Sequence, residues 1–100
     1  MEKFNCPHFN GQVELSAERQ GHIAERHPEL YLRLKLLLSE VLSQPEHVRA
    51  SVRNENAQLF SRFYPDLYGG KFVVAVVVSE KTSNRNWIVT AYLTRRLTEG

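Results

Sequence analysis

Two of the four histidines in this 100-residue chain fall in the stretch Gly21-His22-Ile23-Ala24-Glu25-Arg26-His27-Pro28, beside an arginine. On a helix beginning near Ala17, Arg19, His22 and Arg26 stand at i, i+3 and i+7 and so share one stripe of its surface. An imidazole titrates near neutral pH and can take up or deliver a proton. Flanking guanidiniums can hold a phosphodiester and stabilise the charge it gains during in-line attack. The plainer alternative is a solvated helix face on which Glu18 and Glu25 supply ion-pair partners. His27 follows Ile23 by four positions, which turns it toward the core side at the helix end. There a histidine can also cap carbonyls and complement the dipole.

The remaining chemistry-bearing residues are on strands. Ala57 to Tyr64 and Trp87 to Leu93 alternate in the manner of strands, and Arg62 and Tyr64 of the first could share a face with Thr90 and Tyr92 of the second. That face, opposite the helices, would be basic and aromatic. Rings stack on unpaired bases while guanidiniums and hydroxyls contact phosphate, so Arg19, Arg62 and Tyr64 are the expected RNA-contacting residues. A polar sheet face whose tyrosines merely cover apolar neighbours is the competing reading.

Other chemistries find less support. Cys6, His8, His22 and His27 could form a metal site on paper, but Cys-x-His is not a usual zinc pair, and His22 and His27 are five apart where helix-borne ligands prefer four. No metal and no cofactor is expected. Cys6 and His8 make a poor nucleophile and base, because near neighbours in an extended segment point apart. Gly69-Gly70 precedes a strand rather than a helix, so there is no phosphate loop. No acidic cluster suits a two-metal nuclease either.

The elements that must position these groups follow from hydrophobic periodicity. Residues 1–12, with Pro7, Asn10 and Gly11, read as an irregular opening segment tacked down by Phe4 and Phe9. Val13-Glu14-Leu15 reads as a short strand. Ser16 is an N-cap, and the helix it starts should run to about His27, where Pro28 stops it. Leu30, Leu34, Leu37, Leu38 and Val41 mark the buried face of a second helix over 29–43, ended by Gln44-Pro45. His47 to Arg53, Ala57 to Tyr64, Lys71 to Ser79 and Trp87 to Leu93 then read as four strands, the valine-rich third one in mid-sheet. The expected fold is α+β: two N-terminal helices packed on one face of a four-stranded antiparallel meander, a single domain over 1–100 with its core at 13–93.

Composition agrees with such a domain. The apolar share is 42%, the charged share 24% and the net charge +2, so any anionic partner should meet one local face rather than the whole surface. The basic residues lean toward arginine, whose planar fork suits phosphate. A single cysteine excludes an intrachain disulfide. No stretch reads as a signal peptide or membrane span, and a cytoplasmic location without membrane contact is expected.

Val-Glu-Leu-Ser, Gly-His-Ile-Ala-Glu-Arg-His-Pro-Glu, a helix ending before Gln-Pro, and Trp-Ile-Val-Thr-Ala-Tyr-Leu together resemble the phage-associated branch of the barnase, EndoU, colicin and RelE-like nuclease superfamily. The resemblance runs from about Val13 to Leu93. It implies RNA cleavage without a metal through the RNA 2′-hydroxyl, and it points to His22, Arg26 and His27 on the helix motif and to Thr90 and Tyr92 on the last strand. Transfer or messenger RNA, presented single-stranded, would be the substrate, and a cognate inhibitor protein the partner of such a toxin. The alternative is a non-catalytic module that binds RNA or protein on the same fold.

Overall fold

The computed structural model describes residues 1–97; residues 98–100 of the expected domain lie outside the described residues. The chain runs β1 (Glu2–Cys6), β2 (Gly11–Leu15), α1 (Ala17–Arg26), a 3-10 segment (Pro28–Arg33), α2 (Leu34–Ser43), β3 (His47–Ala50), β4 (Ala57–Tyr64), β5 (Lys71–Glu80) and β6 (Arg85–Thr94). All the strands join one sheet in the order β1-β2-β6-β5-β4-β3. Neighbours are antiparallel except β2 and β6, which run parallel and meet at Glu14 and Trp87 alone.

This overturns the four-stranded antiparallel meander with two N-terminal helices. The sheet has six strands and is mixed, and a hairpin precedes the helices. Residues 1–12 read as irregular because the turn signals Pro7, Asn10 and Gly11 crowd between two five-residue strands whose outward residues are polar. Phe4 and Cys6 point inward and are buried, as are Val13 and Leu15. Apolar alternation is there, but too short to stand out from turn chemistry.

Helix α1 begins where its cap dictates: the Ser16 hydroxyl accepts from the Arg19 amide at 3.1 Å. Its end is set by Pro28, and the His27 amide closes the last turn on the Ile23 carbonyl at 2.7 Å. The second helix starts at Leu34 instead of Glu29, because Pro28–Arg33 winds as a 3-10 segment first. Leu30, Leu34, Leu37, Leu38 and Val41 are nonetheless all buried, and Leu42 joins them. α2 packs against β1, β4 and β5, whereas α1 packs against β6.

One buried cluster joins both helices to one sheet face: Ile23, Leu38 and Leu42 from the helices meet Leu15, Phe60, Val73, Ala75, Ile88 and Ala91 from the strands. The register in β4 follows from it. Phe60 opposes Ala75, and Arg62 opposes Val73, so the even-numbered residues of β4 face α2. At the β4–β5 turn, Gly70 has a φ of 104°, and an added Cβ would lie 3.0 Å from the Phe63 ring.

Phe60 is fully buried, with the His8 ring 5.3 Å and the Phe9 ring 5.6 Å away, so it ties the opening hairpin to the sheet centre. Phe60→Ala should cost about 3–5 kcal/mol, read as a lower urea midpoint at unchanged slope. A loss under about 1 kcal/mol would show that this packing is not what holds the hairpin down.

Candidate functional site

β6 decides which residues share the sheet face away from α2. Strict alternation groups Trp87 with Val89, Ala91 and Leu93. In the structure, Val76 pairs with Thr90 but Val77 pairs with Ile88, so Val89 is an extra residue bulged out of the ladder. A bulge reverses the side-chain sense beyond it. Ile88 therefore enters the core beside Ala91, and Trp87 joins Thr90 and Tyr92 on the face away from α2.

The register also divides the expected RNA-contacting residues. Tyr64 is nine-tenths buried on the helix side, and its hydroxyl donates to Glu40 Oε1 at 2.9 Å. Burial, with the Glu40 carboxylate beside it, pushes the Tyr64 phenol well above its ordinary range. Arg62 turns the same way and donates from Nη1 to the Gln44 carbonyl at 2.8 Å, at the end of α2. Neither residue shares a face with Thr90 and Tyr92. The opposite face instead carries Leu59, Ser61 and Phe63 from β4, Phe72, Val74, Val76 and Val78 from β5, and Trp87, Thr90 and Tyr92 from β6. Its centre is closed, with Leu59, Ser61 and Val74 buried outside the main cluster, while the β6 row of Trp87, Thr90 and Tyr92 is partly accessible. His47 and Arg49 of β3 border it on the far side, opposite Ser61 and Leu59.

The near border is α1, which straddles the edge of β6. Ile23 inserts into the core on one side. On the other, contacts at both helix ends reach the open face. Near the N-terminus, Arg19 lines a hollow with Trp87 and Arg85. At the C-terminus, the His27 ring lies 6.4 Å from the Tyr92 ring, tilted by 39°. His22 and Arg26 fall on the Arg19 stripe of the helix, Arg26 exposed and His22 half-buried. The fold thus brings His27 against Tyr92 and Arg19 beside Trp87, and it leaves Arg62 and Tyr64 on the other side.

Sequence reasoning passed over Glu29. Its Oε1 lies 3.4 Å from His27 Nδ1, and both side chains are about one-third exposed. A carboxylate there favours the tautomer with hydrogen on Nδ1, leaving Nε2 as the proton acceptor. The signal was the His-Pro-Glu run: proline ends the helix and returns the next residue toward the histidine. Arg85 was also missed. It donates to both Glu14 oxygens, at 2.8 and 3.3 Å, and its guanidinium stands 5.9 Å from the centre of the Trp87 ring. Only pairing of β2 with β6 brings Glu14 within reach, and that pairing has no local sequence signature.

Cys6 is fully buried in the core, where burial pushes its thiol up, so it has a packing role. Among the described residues, no group of three or more His, Cys, Asp or Glu side chains converges as metal ligands would, and no helix is long and apolar enough to cross a membrane. In comparisons with known proteins, no family model, curated protein or solved structure gives a significant match.

The Arg85 hydrogen bonds hold the Glu14 carboxyl below its ordinary value of 4.5. A carboxyl lowered in the folded state contributes stability above its unfolded pKa and loses it as pH falls through the folded one. Glu14→Gln should therefore unfold at lower urea than the parent near pH 6, and the gap should close as the pH drops below about 4. A gap that stays constant down to acid pH would assign the pair no electrostatic role.

Proposed function

We propose that this protein is a metal-independent endoribonuclease that binds single-stranded RNA across the open sheet face beside α1. The observation that carries this reading is the His27 imidazole, oriented by Glu29 at 3.4 Å and set 6.4 Å from Tyr92 on a face that also presents Thr90. The resemblance of the helix end and of the last strand to the phage-associated nuclease branch points the same way.

In this reading, His27 Nε2 takes the proton from a ribose 2′-hydroxyl, and that oxygen attacks the adjacent phosphorus. The bond from phosphorus to the 5′-oxygen of the next nucleotide breaks. The leaving oxygen takes a proton from His22 in its imidazolium form, and a 2′,3′-cyclic phosphate remains. Arg26 holds the non-bridging oxygens and balances the charge they gain, and the Thr90 and Tyr92 hydroxyls donate to the same phosphate. The arginine-rich helix stripe also provides the sequence-independent attraction that an RNA backbone requires.

Incubation of the purified chain with total RNA in EDTA tests the proposal, with His27→Ala and His22→Ala variants checked for retained fold. The parent should cleave and leave cyclic phosphate ends, and each substitution should slow cleavage by about 10²–10⁴-fold. Equal cleavage by all three proteins would remove these histidines from the chemistry. Salt-dependent RNA binding without cleavage would instead favour the non-catalytic RNA-binding module.

A further inference from the structure

Away from His27, the open face contains a hollow of about 330 Å³ whose walls include Glu14, Arg19, Glu80, Arg85 and Trp87. One wall is made by Arg85 and Trp87, neighbours on one side of β6. The Arg85 guanidinium stands over the Trp87 ring at 5.9 Å, and Glu14 holds it there through two hydrogen bonds. Two guanidiniums and two carboxylates line the hollow, with Met1 at its rim, so groups of both signs border it. It suits a neutral, flat group with both donors and acceptors on its edge. Two stacking contacts of about 3.5 Å need about 7 Å, more than the 5.9 Å from the Arg85 guanidinium carbon to the ring centre, so a planar heterocycle enters when the exposed Arg85 side chain swings away from the ring.

The hollow lies on the same sheet face as the proposed phosphate site. The bulge at Val89 places Trp87 on the face of Thr90 and Tyr92, and the strand between Trp87 and Tyr92 spans roughly 13 Å at about 3.3 Å per paired residue. A short run of nucleotides covers that distance.

We propose that this hollow is a nucleobase subsite, in which a base of the bound RNA strand stacks between Trp87 and Arg85 while Glu80 and Arg19 meet its polar edge. The proposal rests on the RNA reading above and adds the contact that would make binding depend on bases as well as backbone. Aromatic stacking of this kind tolerates every base, because each has a π-face.

Trp87 is the single tryptophan of the chain, so its fluorescence reports on this hollow alone. The intact protein is titrated with a 2′-deoxy tetranucleotide, which lacks the attacking hydroxyl and is not consumed, and with its abasic counterpart. The base-bearing strand should quench the emission saturably, and the abasic strand should bind about tenfold more weakly without quenching it. By anisotropy of a labelled strand, Trp87→Ala should weaken binding about 5- to 100-fold, and Trp87→Phe should recover most of the loss. Strand binding that leaves the emission unchanged and is indifferent to Trp87→Ala, with RNA cleavage intact, would overturn the subsite and leave the nuclease reading standing. Absence of both strand binding and RNA cleavage would overturn the two together.

Discussion

β6 has a strand on both sides only at Trp87, and the open face depends on that constraint. β5 pairs along it, but β2 forms a ladder pair with it once, at Glu14, and ends at Leu15 before the Ser16 cap of α1. The edge of β6 from Ile88 onward is occupied by α1. α1 inserts Ile23 into the core, and Arg19 on its flank lines the hollow beside Trp87. That flank carries Arg19, His22 and Arg26, and Pro28 ends the helix where His27 reaches Tyr92. The basic border of the face is a consequence of how the sheet edge is closed.

The bulge at Val89 supplies the other half of the arrangement. Without it, Trp87 would point into the core and Ile88 onto the open face, which would exchange a stacking platform for an aliphatic one. With it, the apolar core keeps Ile88 and Ala91, while one continuous row offers Trp87, Thr90 and Tyr92. Charge is disposed to match. The Glu14 carboxylate beside Trp87 is engaged by Arg85, so it does not stand as an uncompensated anion where a phosphate backbone would pass.

Much of the scaffold was legible in the sequence. Ser16 and Pro28 bracket α1 by cap and breaker chemistry that needs no tertiary context, and the spacing of Leu30, Leu34, Leu37, Leu38 and Val41 marks buried positions even though part of that run winds as a 3-10 segment. The grouping of His27 with Tyr92 came from the resemblance alone, since the spacing from Ile23 turned His27 toward the core side. The opening hairpin escaped because strands as short as β1 and β2 carry little periodicity. Arg62 and Tyr64 were placed on the wrong face because β4 bears an aromatic residue on both of its sides, Phe60 and Tyr64 on one and Phe63 on the other. Alternation alone could not choose between them, and packing of Phe60 under α2 settles the matter. The Val89 bulge left no trace, since Trp87, Ile88 and Val89 all favour strands.

The account stands on one claim, that RNA meets the face between α1 and β6 and leaves the helix-covered side untouched. Mapping backbone and aromatic NMR shifts while a 2′-deoxy oligonucleotide is added to the intact chain tests it most directly. The account predicts the largest changes at His22, Arg26, His27, Trp87, Thr90 and Tyr92, with Arg62, Tyr64 and Gln44 nearly unmoved. Shifts centred on Arg62 and the end of α2, or no localised shifts at all, would contradict it.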